Sequence, residues 1–185
     1  MDNGASSYYR FLDGDDTGIV EIIRDYKDGL TLYLNGFVSN IHIAEELMED
    51  TFFKLVTKKP RFKNKNSFKT WLYTIGRNVA IDYVRHNKIF SDEPIEEYEN
   101  FLVEEENVEE IYLREERKIT VHRALHKLKP EYRQILYLIY FENFSNAEAA
   151  VIMKKSKHQI ENLIYRARLS LKSQLDKEGF IYERL

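Results

Sequence analysis

No cysteine occurs among the 185 residues. Disulfides, thiol catalysis and thiolate zinc sites are thereby excluded, as suits a reducing compartment. Long apolar runs are absent too: the longest, ILYLIYF at residues 135–141, falls far short of the ~20 residues a membrane span needs. The amino-terminal stretch MDNGASSYYRFLDGDD is acidic and lacks the apolar centre of a signal peptide. A soluble, cytoplasmic chain without membrane insertion is expected. No useful length of sequence alternates apolar with polar residues, so strands are not expected. Nor is there a discernible set of nucleophile, base and orienting group, so no catalytic residue and no cofactor is assigned.

The candidate metal patterns are each incomplete. Asp13, Asp15 and Gly18 echo a calcium loop, but Arg24 stands at the twelfth position, where a bidentate glutamate is required. His122 and His126 share one helical face with no third ligand in view. Glu45, Glu46, Glu49 and Asp50 lack a Glu-x-x-His partner, which argues against a carboxylate metal enzyme.

What is present is strongly segregated charge. The formal net charge is only -3, yet residues 1–53 hold 3 basic and 11 acidic side chains, 54–88 hold 10 and 1, 89–117 hold 2 and 12, and 118–185 hold 13 and 7. Two basic blocks attract phosphate and an acidic block between them repels it. Tyrosine and phenylalanine are plentiful, at 13 and 11. Within residues 54–71, KLVTKKPRFKNKNSFKTW, six lysines and an arginine are interleaved with Phe62 and Phe68. Cations neutralise phosphates and exposed rings stack on unpaired bases. Phe68 and Trp71 read as core, and Phe62, inside the loop, as a functional ring.

Helical periodicity dominates. One helix runs through IVEIIRDYKDGLTLYLNGFV with an aspartate of Asp15–Asp16 as its cap. A second covers IHIAEELMEDTFFKLV, with Ile43, Leu47, Phe52 and Leu55 apolar. In a third, SFKTWLYTIGRNVAIDYVRHN, Phe68, Trp71, Leu72, Ile75, Val79 and Tyr83 repeat every three or four residues. A further helix is expected from about Arg117 to Lys127, then another with Pro130 at its first position. The fold class is all-α: two small helical domains, 1–88 and 118–185, joined by an acidic linker, 89–117, that contains Pro94.

Ser145 with Glu148, and Ser156 with Gln159, are capping boxes eleven residues apart, and together they mark a helix-turn-helix. Lys154 occupies the turn where many such motifs use glycine, which suggests a looser turn. Ile160, Leu163, Ile164, Ala167 and Leu171 form the apolar stripe of the second helix. Lys157, His158, Gln159, Glu161, Asn162, Tyr165, Arg166 and Arg168 lie outside it. Such a face can read a major groove, Gln and Asn pairing bidentately with adenine and Lys or Arg reaching guanine or phosphate.

The segments IAEELMEDTFFKL and FKTWLYTIGRNVAIDYVR resemble region 2 of bacterial RNA polymerase sigma factors, and LHKLKPEYRQILYLIYFENFSNAEAAVIMKKSKHQIENLIYRARLSL resembles region 4. With only these regions and a short linker, the chain is similar to the extracytoplasmic-function group. The resemblance implies core RNA polymerase as partner, through the clamp helices of its largest subunit and the beta flap, together with promoter DNA and an anti-sigma factor. It assigns Glu46, Leu47, Glu49, Asp50 and Phe53 to the clamp helices. It places Phe62, Lys63, Lys65, Arg77, Asn78 and Arg85 at the -10 element, with Phe62 and Asn78 at a flipped base. Lys157, His158, Gln159, Glu161, Asn162, Tyr165 and Arg166 fall at the -35 duplex. Glu161 stands where the family often has a basic residue, and suits a cytosine amine better than a phosphate. The linker is implied to thread toward the active-site and RNA-exit channels. The rival is a transcription factor that binds DNA unaided through its helix-turn-helix.

Overall fold

Helix ends in this chain are set by local chemistry, and they determine which side chains face which neighbour. The computed structural model describes residues 3–63, 65–87 and 120–179. The linker, and the expected helix start at Arg117, lie outside the described residues. The first element is a helix absent from the sequence expectations: α1, Asn3–Leu12, which buries Ala5, Tyr8 and Phe11. At the next corner the Asp15 carboxylate accepts from the Thr17 amide at 3.0 Å and the Thr17 hydroxyl at 2.6 Å, and pairs with Arg10 at 3.1 Å. The acidic pattern there serves a helix start, α2, Thr17–Val38. Asp15 caps it with its side chain, and Asp16 makes no side-chain cap bond. Gly18 is required, because a Cβ would collide with the Ser7 carbonyl oxygen of α1.

Ser39 in the left-handed region ends α2, and Asn40 starts α3, Ile41–Lys58, by accepting from the amides of His42 and Ile43 at 3.0 and 3.2 Å. After the lysine-rich loop comes α4, Phe68–Asn87. The second unit comprises α5 (residues 120–126 of the described chain), α6 (Pro130–Leu136), a π-helical turn (Tyr137–Phe141), α7 (Asn146–Met153) and α8 (Lys157–Lys177). Pro130 stands at the start of α6, where its missing N–H costs nothing. Both capping boxes form as expected. Among the described residues there is no strand.

The π-helical turn was not expected from the apolar run. In it the Glu142 amide donates to the Tyr137 carbonyl at 3.1 Å and the Phe144 amide to Leu138 at 2.9 Å, while Asn143 takes φ 56°. One inserted residue re-aims everything after it. Glu142 and Phe144 consequently face α4 of the first unit. Apolar side chains of both units, from Tyr8 and Leu30 to Ile135, Leu138 and Ile160, form one continuous core. α7 lies on α4, and α6 lies on α2.

Candidate nucleic-acid interface

α3 turns four of the residues assigned to polymerase docking outward. Glu46, Glu49 and Asp50 are exposed, and Phe53 shows 66% of its surface to solvent. Leu47 does not join them. It lies one position out of phase, 2% exposed in the core, and its assignment as a docking anchor is withdrawn: its side chain packs the inside of α3.

The lysine-rich loop divides in the same way. Lys63 and Lys65 are exposed, as a phosphate-attracting loop requires. Phe62 is 6% exposed, its ring 5.1 Å from Trp71 and edge-on to Phe68 at 5.7 Å. α1 holds the loop from the other side: the Tyr8 hydroxyl donates to the Pro60 carbonyl at 2.8 Å and the Tyr9 hydroxyl to that of Phe62 at 3.4 Å. Burial pushes the Tyr8 hydroxyl up to about 12, so it stays a donor. Phe62 is thus a core ring here and cannot stack on a base. Aromatic–aromatic packing with a helix that precedes the recognisable pattern won over the loop setting.

On α4, Arg85 is exposed near Asp82 at 3.9 Å. Arg77 and Asn78 are half-buried. The Arg77 Nε meets no acceptor among the described residues. The Asn78 Oδ1 accepts from Lys154 Nζ, in the turn of the helix-turn-helix, at 2.9 Å. That turn is tight without glycine: Lys154 itself adopts φ 53°, and the Lys155 amide donates to the Ala150 carbonyl at 3.0 Å.

All seven -35 residues on α8, Lys157, His158, Gln159, Glu161, Asn162, Tyr165 and Arg166, are exposed, while Ile160, Leu163 and Ala167 are buried beneath them. The face is therefore open to a groove. Gln159 is partly committed, since its Oε1 accepts from the Ser156 amide at 2.8 Å; only its amide donors remain for a base, and the bidentate bond to adenine is not available while the cap holds. Asn162 Nδ2 lies 3.1 Å from His158 Nε2, and His158 lies 4.0 Å from Glu161. Beside this face, Leu136, Tyr140, Tyr165, Leu169 and Leu175, with Arg168 and Lys172, line a groove of about 550 Å³. Sequence reasoning missed it because its walls come from two helices. Among the described residues no group of three His, Cys, Asp or Glu could hold a metal ion, and no helix is long and apolar enough to cross a membrane.

The profile of Sigma-70 region 2 matches residues 22–89, and that of Sigma-70, region 4 matches residues 118–171. The chain is an extracytoplasmic-function sigma factor of the sigma-70 family. It directs RNA polymerase to promoters. Region 2 takes in α2, α3 and α4, and region 4 ends within α8. Among similar proteins of Bacillus subtilis (strain 168), the sigma factor shares 29% identity over 160 residues with RNA polymerase sigma factor YlaC, covering 86% of this chain and 92% of that protein. With ECF RNA polymerase sigma factor SigW it shares 25% over 170 residues, covering 88% and 91%. In fold it is similar to CnrH, solved in complex with the cytosolic domain of CnrY (TM-score 0.64, 21% identity, 95% of this chain and 96% of that one). It is also similar to the sigma factor RpoE of Bartonella quintana, solved with the anti-sigma factor NepR (TM-score 0.66, 23% identity, 84% and 95%).

Proposed function

We propose that this sigma factor divides its work between two domains: residues 1–88 dock on core polymerase and open the -10 element, and residues 118–185 fix the upstream position at the -35 element, with 89–117 as the tether. Glu46, Glu49, Asp50 and Phe53 present the docking face to the clamp helices, a ring amid carboxylates that suits a basic, partly apolar partner. The apolar groove beside α8 is offered to the beta flap. Lys63, Lys65, Arg77, Asn78 and Arg85 hold the melted strand, the bases unstacking at a cost of a few kcal/mol that backbone contacts offset. Lys157, His158, Glu161, Asn162, Tyr165 and Arg166 read the duplex. The factor performs no catalysis of its own and acts in the cytoplasm. An anti-sigma protein of the kind bound to CnrH and RpoE is proposed as its antagonist.

The observation that supports this reading best is the fully exposed polar face of α8 in a chain that also carries region 2. Run-off transcription with purified core polymerase on sheared genomic DNA, followed by sequencing of the transcripts, tests it. Discrete start sites that depend on the added factor are expected, with Asn78→Ala reducing permanganate reactivity at the -10 position more than it reduces duplex binding. No factor-dependent start site would refute the reading.

A further inference from the structure

The surface of α4 that faces region 4 is polar. From region 4, the Glu142 carboxylate, 12% exposed, accepts from Lys69 Nζ and from the Tyr73 hydroxyl, each at 2.7 Å, and Lys69 also donates to the Glu142 carbonyl at 2.9 Å. Phe144 packs edge-on against Tyr73 at 5.0 Å, with Lys69 Nζ 4.8 Å from its ring centre. The Glu148 carboxylate closes its own capping box with one oxygen and accepts from the Ser67 and Thr70 hydroxyls, both at 3.2 Å, with the other. Lys154 takes the Asn78 amide oxygen. Along α4, then, hydroxyls, an ammonium and an amide are each bound by a side chain of the other domain, two of them by carboxylates, which present to cations and donors what a phosphate presents.

We propose that this face of α4 is a self-docking surface, on which region 4 of the same chain occupies groups that the -10 strand would use. The proposal rests on the functional reading above. It deepens that reading in one respect: the free factor is closed at α4 and open at α8. The -35 face is fully exposed in this arrangement, whereas Asn78 and Lys69 are taken. Inter-domain surfaces as polar as this one separate more readily than apolar ones. Some 30 residues join α4 to α5, an extended length of roughly 100 Å, so the tether does not oppose separation. A closed fraction lowers apparent affinity for the competing strand in proportion to the population that must open.

The hub has a point of attack that leaves charge unchanged. A Cβ at Gly29 on α2 would lie 2.5 Å from Glu142 Oε1 and 2.7 Å from the Tyr73 hydroxyl oxygen, so Gly29→Ala displaces the carboxylate. Glu142→Gln removes the ion pair, and Asp176→Asn is its charge control outside the interface. Since the chain has no cysteine, Thr57→Cys and Ser173→Cys, both at exposed positions, can carry a donor and acceptor dye. Energy transfer in the full chain and binding of a dT12 oligonucleotide are measured together, with circular dichroism to verify folding. Lower transfer and roughly tenfold tighter dT12 binding are expected for Gly29→Ala and Glu142→Gln, and neither change for Asp176→Asn. If either folded variant keeps the parent transfer, or opens without binding dT12 more tightly, the proposal is overturned. Failure of run-off transcription with this behaviour intact would sink the functional reading alone.

Discussion

At Phe53 a phenyl ring stands two-thirds in solvent on a helix whose neighbouring outward positions are carboxylates. Nothing inside the chain rewards that exposure, whereas burying such a ring in a partner contributes about 2 kcal/mol. Phe53→Ala should therefore weaken core polymerase binding about 30-fold, a hot-spot effect, without lowering the melting temperature. Leu47→Ala and Phe62→Ala should do the reverse, each costing about 3 kcal/mol of stability through a cavity. Titration with labelled core polymerase and thermal melts of the three variants separate the two kinds of residue; a stable, binding-defective Leu47→Ala would contradict the assignment. His126 makes a pH prediction. Burial first, then the charges of Arg133 and His122, push its pKa down to about 4, and Arg133 donates to its carbonyl at 3.2 Å. The folded state keeps the ring neutral while the unfolded chain binds a proton near pH 6.5, so stability is complete above that pH and declines as pH falls toward 4. His126→Gln should flatten this part of the decline in urea midpoints measured between pH 7.5 and 4.5.

Whole elements were legible where a single helix face carries the core. In α3, α4 and α8 the apolar positions recur at three and four residues, and the caps Ser145 and Ser156 name their own helix starts, so the expected and observed helices agree to within a residue or two. α1 was not legible: its glycine and paired serines are poor helix formers, and only Tyr8 and Phe11 packing on α2, the loop and α4 makes it a helix. The fate of Phe62 follows from that missed element, because a ring in a basic loop reads as exposed until something covers it. The π-helical turn escaped for another reason, since an inserted residue changes no composition and no period long enough to detect. Within α8 the cap and the reading face are coupled, Gln159 serving the first and standing beside the second. Ser156→Ala should cost about 1 kcal/mol of stability and free Gln159, so that base preference at the -35 element shifts as well as weakens. Selection from a randomised duplex library, run beside a thermal melt, checks both; lost stability with an unchanged preference would show that Gln159 reads nothing.

For the molecule as a whole, the alternation of acidic and basic blocks said that two nucleic-acid-binding units existed, but no periodicity could say that they pack on each other. That contact is made by Glu142, Phe144, Glu148 and Lys154, each of which reads in isolation as an ordinary surface residue. Its consequence is thermodynamic. Domains this small bury a modest fraction of their surface and are marginal alone, while here α6 lies against α2 and α7 against α4 over a shared core. Glu142 is nearly enclosed, so its ion pair is weakly screened, and burial together with the adjoining carboxylate drives the Tyr73 hydroxyl far above its ordinary pKa, which keeps it a donor at any working pH. The free factor should consequently melt in one calorimetric transition. At roughly 0.7 kcal/mol per residue, the ~145 described residues predict an enthalpy near 100 kcal/mol for a single unit and about half that for each of two. Agreement of the calorimetric and van't Hoff enthalpies would establish the single unit. Gly29→Ala should split or broaden the transition, because it breaks the coupling without removing a core side chain. Two resolved transitions in the unaltered chain would mean that the domains are already independent, and that region 4 does not hold α4 closed.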